Sequence, residues 1–223
     1  MVAPIGKGLQ RAGVSPDVIT VGGVIMASAT AVAIATGRFW LAVLFLALTG
    51  ASDALDGAVA KAGGRAGPRG AYLDSVSDRL SDALLFAGCA WYLAGTDDPR
   101  RALLPFGVYI AASLVSYQRA KAESLGYQAK GGLMERAERF IVLGFGLVFH
   151  TLLVPVLWIM LVLTAITAAT RFGKVWRQAS GQPPRAVAAA RRTRRRRTRS
   201  VADFRARADA RVAARAERRR RAR

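Results

Sequence analysis

The sequence predicts an all-α integral membrane protein, with six transmembrane helices and an N-terminal amphipathic surface helix. Three observations carry that expectation. The chain has 223 residues, 52% of them hydrophobic, and a mean hydropathy of +0.23, values that suit a small polytopic membrane protein better than a soluble domain. Six apolar segments lie at about 17–37, 39–62, 70–95, 102–124, 134–153 and 154–178, each near the ~20 residues needed to cross a bilayer. The basic residues gather on alternate connections between them, as a spanning topology requires.

Each element has a local reason. Residues 1–15 mix Lys7 and Arg11 with Ile5, Leu9 and Val14, a pattern for a helix lying on a membrane surface. Pro16 opens the first span, since proline is favoured at the first helical position. Gly37 and Gly63-Gly64 mark the next two turns, and Asp97-Asp98-Pro99 makes a polar turn before the fourth span. Pro155 separates the last two spans, because proline disfavours helix continuation. The expected domains are a surface helix at 1–15, a six-helix unit at 16–178 and an Arg-rich tail at 179–223.

Net charge is +20, yet residues 181–223 hold 17 arginines against Asp203, Asp209 and Glu217, so the tail alone carries +14. Such runs are usually disordered and meet polyanions. The expected partner is anionic lipid of the cytoplasmic leaflet, worth ~1 kcal/mol per basic residue near the surface. A nucleic-acid arm is disfavoured, because only Phe204 interrupts the run with an aromatic ring. Lys7, Arg11, Lys61, Arg65, Arg69, Arg119, Lys121, Lys130, Arg136, Arg139 and the tail lie on one side. Arg38, Arg100 and Arg101 lie on the other, the last two offset by Asp97 and Asp98. The positive-inside rule then puts both termini in the cytoplasm. Cys89 is the only cysteine, which excludes an intrachain disulfide and a cysteine metal cluster. His150, the only histidine, reads as an interfacial residue near a helix end rather than a ligand.

The chemistry lies in four aspartates on two hydrophobic helices: Asp53 and Asp56, then Asp74 and Asp78. A carboxylate at the centre of a spanning helix costs roughly 2.5 kcal/mol or more. Spacings of three and four put each pair on one helix face, and the short link makes the two helices antiparallel neighbours. All four then fall at one depth, near the cytoplasmic face. Facing carboxylates without a metal would repel one another. Oxygen-rich sites suit Mg²⁺, Mn²⁺ or Ca²⁺. Two divalent ions would neutralise the cluster and grip a pyrophosphate. A structural ion-pair network is the rival explanation, disfavoured because few basic residues share these helix faces. Gly57, Ala58, Ala60 and Gly70 keep the surroundings low, for ligand approach or for close helix packing. Asp82 continues the row one turn beyond Asp78, either supporting the cluster or, as a plain polar residue, facing a wet cavity or pairing with Arg79.

The run Asp53-x-x-Asp56-Gly57-x-x-Ala60-Lys61, then Gly70-x-x-x-Asp74-x-x-x-Asp78, resembles the signature of CDP-alcohol phosphotransferases. The departure is Lys61 where that family has arginine, which keeps the charge and loses the bidentate fork. The resemblance implies a six-helix membrane enzyme, usually a homodimer, that displaces CMP from a CDP-linked lipid with an alcohol. Asp53, Asp56, Asp74 and Asp78 then look like metal ligands for two Mg²⁺, or Mn²⁺. Asp78 also looks like the base that takes the acceptor proton. Gly57 and Lys61, with Asp53, look like contacts for the CDP part of CDP-diacylglycerol.

Ser116-Tyr-Gln-Arg119-Ala-Lys121-Ala-Glu123 and Gly131-Gly132-Leu-Met-Glu135-Arg136-Ala-Glu138-Arg139 resemble segments of actinobacterial phosphatidylinositol phosphate synthases. That resemblance implies an acceptor-phosphate pocket of Ser116, Arg119, Arg139 and Arg171, and inositol 1-phosphate as the phosphorylated polyol acceptor. Positive-inside flanking charge explains Lys121, Lys130 and Arg136 without any substrate. A phosphatidylglycerol phosphate synthase using glycerol 3-phosphate is the alternative within the family. Outside it stand a divalent-cation transporter and an inactive membrane scaffold. The one-sided clustering of the carboxylates argues against the first, and the intact aspartates argue against the second.

Overall fold

The computed structural model describes Gly8 and residues 15–62, 67–129 and 131–181. The surface helix expected before Ser15 and the tail beyond Gly181 lie outside the described residues. Those described are helical, with no strand among them. Six α-helices follow in order: α1 Pro16–Ala35, α2 Phe39–Ala62, α3 Pro68–Ala94, α4 Leu103–Ser124, α5 Arg136–Val148 and α6 Leu153–Gly181. Short 3-10 turns at Pro99–Ala102 and His150–Leu152 precede α4 and α6.

The helix starts follow their sequence signals. Ser15 caps α1, its hydroxyl accepting from the Val18 N–H at 3.3 Å with Pro16 next in line, and so satisfies one free donor of the first turn. Gly37 turns the chain into α2 with φ +70, in the left-handed region open to glycine. Asp98 caps the turn before α4 through the Arg100 N–H at 3.3 Å.

The fifth element differs from the expected span. α5 has 13 residues, or about 20 Å of helix, short of a ~30 Å hydrocarbon layer. The break falls at Phe149 (φ −105, ψ 66) rather than at Pro155. Pro155 sits in the first turn of α6, where an amide donor would be free anyway. Three stretches are long and apolar enough to cross a membrane among the described residues: Pro16–Ala35, Phe39–Asp56 and His150–Gly181.

By contacts the described residues fall into two units, 15–118 with 131–172 and 119–129 with 173–181. In the smaller one, Gln128 and Gln178 exchange hydrogen bonds: the Gln128 N–H donates to Oε1 at 3.0 Å and Gln178 Nε2 donates back to the Gln128 carbonyl at 2.8 Å. The larger holds the core, where Ile34, Leu46, Leu85, Cys89, Leu143, Leu147, Leu157 and Met160 are buried together. Its helices also show large apolar residues outward, Trp40, Trp91, Ile110, Ile141 and Trp158 among them, as a lipid-facing surface does.

The larger unit has two chemically different ends. At one, Phe39 stacks on His150 with centroids 4.9 Å apart and meets Tyr92 edge-on at 5.0 Å. His150 thus sits exposed against an aromatic ring, near the end of its helix. At the other end Arg69, in the first turn of α3, pairs with Asp17 in the first turn of α1 at 3.3 Å. The aspartates belong to this charged end.

α1 and α3 touch along their backbones at Gly88, where an added Cβ would lie 2.6 Å from the Ala31 carbonyl oxygen and 2.8 Å from its Cα. Gly88→Ala is therefore expected to lose about 1–3 kcal/mol of stability through overpacking, read as a lowered unfolding temperature in detergent.

Candidate active site

α2 brings Asp53 and Asp56 to the charged end, and α3 brings Asp74, Asp78 and Asp82. Asp56 is buried and accepts a hydrogen bond from Thr20 Oγ1 of α1 at 2.8 Å. That partner was not legible, since a threonine in an apolar helix normally bonds its own backbone. Thr20 does this as well, to the Pro16 carbonyl at 3.1 Å. Asp74 is exposed and close enough to repel both Asp53 and Asp78 electrostatically.

The remaining carboxylates converge on Arg136, the first residue of α5. Its Nη2 and Nε meet Asp53 Oδ2 at 2.7 and 2.8 Å. Its Nη1 donates to the Asp78 carbonyl at 2.7 Å and approaches Asp78 Oδ1 at 3.2 Å and Asp82 Oδ1 at 3.3 Å. The guanidinium also lies 4.7 Å from the Phe140 ring centroid, within cation–π range. Asp82 has a second partner, Arg139 Nη2 at 2.7 Å. Arg79 pairs with Asp78 at 3.6 Å.

The ion-pair network that the sequence disfavours is present at Asp53, Asp78 and Asp82: its main cations come from α5, with Arg79 of α3 added at Asp78. Arg136, expected to be a flanking charge, is the hub of that network, and Asp82 pairs with Arg136 and Arg139 rather than with Arg79. Among the described residues no group of three or more acidic, histidine or cysteine side chains is arranged so that it could hold a metal ion. The cation between Asp53 and Asp78 in this structure is a guanidinium.

The acceptor-side residues divide. Arg139 is buried, and two of its five N–H donors are engaged, by Asp82 and by the Met134 carbonyl at 3.1 Å; its Nε has no hydrogen-bond partner. Arg171 is buried too, donating to the carbonyls of Val115 at 2.9 Å and Gly131 at 3.1 Å and to Glu135 Oε1 at 3.2 Å. Gly131 has φ +92, and a Cβ on Gly132 would run into Thr167. The glycine pair therefore lets the loop lie against α6 around Arg171. Ser116 is half-buried. Arg119 belongs to the smaller unit, where it is exposed and pairs with Glu123 one turn on at 3.2 Å. Gly57 and Lys61 continue α2, with their surroundings outside the described residues. Around Gly70 a Cβ would meet nothing within 4 Å.

Beside the network lies a groove of about 590 Å³ between α2 and α5. Val43, Leu46, Ala47, Phe140 and Ile141 give it apolar walls, and Asp53 and Arg136 close one end. Charged groups that can handle phosphate thus adjoin a slot suited to hydrocarbon.

The CDP-alcohol phosphatidyltransferase family model matches residues 13–170. The chain belongs to that family, and is a phosphatidyltransferase. It is 34% identical over 145 residues to the phosphatidylinositol phosphate synthase of Mycolicibacterium smegmatis, covering 64% of this chain and 65% of that protein. It is 33% identical over 184 residues to that of Mycobacteroides abscessus, covering 77% and 82%. Among solved structures it is similar to Mycobacterium tuberculosis phosphatidylinositol phosphate synthase with CDP-DAG bound, at 30% identity and TM-score 0.73, over 79% of this chain and 94% of that one. The same enzyme with manganese and citrate also gives TM-score 0.73 at 30% identity, over 79% of this chain and 89% of that one.

Removing the hub tests the network. Arg136→Met leaves Asp53, Asp78 and Asp82 facing one another and is expected to cost about 3 kcal/mol. Unfolding in detergent without divalent ions measures this, and adding Asp53→Asn should restore part of the loss.

Proposed function

We propose that this chain transfers the phosphatidyl group of CDP-diacylglycerol to inositol 1-phosphate, giving phosphatidylinositol phosphate and CMP. The observation that carries this function is the meeting of Asp53 and Asp78 on Arg136, beside an apolar groove that Asp53 and Arg136 close. Membership of the family and the CDP-DAG found in the tuberculosis relative support it.

Asp53, Asp56, Asp74 and Asp78 offer only hard oxygen donors, the chemistry that Mg²⁺ and Mn²⁺ take. Two of them already share one cation, Arg136, so the donor set fits divalent ions. These four aspartates would hold two Mg²⁺, and the manganese in the relative's structure is in keeping with that choice. When bound, the ions neutralise the pyrophosphate and the departing CMP.

This chain's residues do the remainder. The groove takes an acyl chain and sets the lipid's phosphates against the aspartates. Gly57 and Lys61 contact the CDP part. Asp78 accepts the acceptor's hydroxyl proton. The hydroxyl oxygen bonds to the phosphorus that carries diacylglycerol, that phosphorus loses its bridging oxygen, and CMP leaves with the bonding electrons. Arg139, with the donors that its protein partners leave over, and Arg171 hold the acceptor phosphate, and Ser116 adds a hydroxyl.

The six α-helices form six spans, with the short α5 as the fifth. Both termini and the site face the cytoplasm of a bacterial cell membrane, the unit 16–178 acts as a homodimer, and the tail from 179 lies on anionic lipid.

CMP release by the purified protein tests the function, with CDP-diacylglycerol and Mg²⁺ and with inositol 1-phosphate, glycerol 3-phosphate, inositol and serine offered in parallel. Release with inositol 1-phosphate alone is expected; release with glycerol 3-phosphate instead would move the function to phosphatidylglycerol phosphate synthesis. Asp78→Asn should reduce turnover by roughly 10²–10⁴-fold, the usual contribution of a positioned base, in a protein that stays folded. Arg171→Ala should raise the acceptor KM by about tenfold or more while leaving the CDP-lipid KM near its original value, since charged hydrogen bonds to the acceptor phosphate are lost.

A further inference from the structure

Asp82 is a buried carboxylate, 3% exposed, outside the aspartate signature. A lone buried charge is costly and needs partners. Its two oxygens are divided between two arginines with different surroundings: Oδ2 takes Arg139 at 2.7 Å, and Oδ1 takes Arg136 at 3.3 Å. The two arginines are not equally dependent on it. Arg136 keeps Asp53 at 2.7 Å and the Asp78 carbonyl at 2.7 Å if Asp82 is lost. Arg139 keeps only the Met134 carbonyl at 3.1 Å.

We infer that Asp82 is a positioning residue for the acceptor side of the reaction, acting through Arg139. It fixes the Arg139 guanidinium so that Nε, which has no partner, and the uncommitted N–H donors on its two terminal nitrogens are held ready for a phosphorylated acceptor. The inference rests on the assignment of Arg139 to the acceptor phosphate. Because the same carboxylate also touches the hub of the Asp53–Asp78 pair, it ties the acceptor arginine to the transfer site at a fixed distance. A charge placed only to balance Arg139 would leave acceptor affinity untouched once the fold survived. A positioning group would not.

The test is a double-mutant cycle of Asp82→Asn and Arg139→Ala, read as KM for inositol 1-phosphate, KM for CDP-diacylglycerol and kcat in the CMP-release assay. Asp82→Asn alone is expected to raise the acceptor KM by about tenfold, the scale of one charge-assisted hydrogen bond, with the CDP-lipid KM within about twofold. In the Arg139→Ala background it should add little further, because coupled residues are non-additive. An unchanged acceptor KM, or the same loss with and without Arg139, overturns the inference and leaves the acceptor pocket standing. If Arg139→Ala itself leaves the acceptor KM unchanged, the pocket assignment fails and takes the inference with it. Should Asp82→Asn not fold, Asp82→Glu keeps the charge and moves the carboxylate by one methylene. An acceptor KM raised in Asp82→Glu with the CDP-lipid KM unchanged supports the inference, and an unchanged one overturns it.

Discussion

Arg136 holds three carboxylates from two helices, and the charged end of the molecule depends on that contact. Five aspartates on α2 and α3 lie at this end of helices otherwise built for hydrocarbon. Carboxylates so placed either protonate, repel or find cations. α5 supplies two, Arg136 and Arg139, within its first turn, where helical side chains tilt back toward the N-terminus and can reach the neighbouring helices. Arg136 satisfies both aspartate-bearing helices at once, taking Asp53 from α2 and Asp78 and Asp82 from α3. The glycine loop leads into this end of α5. Gly131 and Gly132 let the chain lie against α6, and Arg171 fastens it through the Gly131 carbonyl and Glu135.

This arrangement separates two kinds of work along the larger unit. One end, where Phe39 meets His150 and Tyr92, is aromatic. The other carries the charges, and an apolar groove runs up to them between α2 and α5. A lipid whose reactive phosphates are joined to long hydrocarbon chains needs that sequence of environments. The guanidinium shows that Asp53 and Asp78 can share a single cation.

Much of this was written in the sequence. The helix order and most boundaries follow from apolar runs punctuated by Gly37 and the Asp97–Pro99 turn. The aspartate pairs follow from three- and four-residue spacing. The short fifth helix was not legible, because Phe149 and His150 carry no breaking signal and Pro155 drew the boundary downstream. Arg136 was misread for a physical reason: an arginine at the cytoplasmic end of a helix looks the same whether it faces water or turns inward. Only tertiary packing distinguishes the two. Thr20 was hidden likewise, since a helical threonine usually bonds its own backbone, and Asp82 was visible without its partners, since an aspartate's partner can come from any helix.

Manganese binding followed by electron paramagnetic resonance, on the purified protein with CDP-diacylglycerol present, tests most directly whether these aspartates form the transfer site. Binding that is present in the native chain and lost when Asp53 and Asp78 are both changed to Asn is the result expected here. Binding that survives the double substitution would place the ion elsewhere, and an absence of binding in the native chain would contradict a metal-dependent transfer at this cluster.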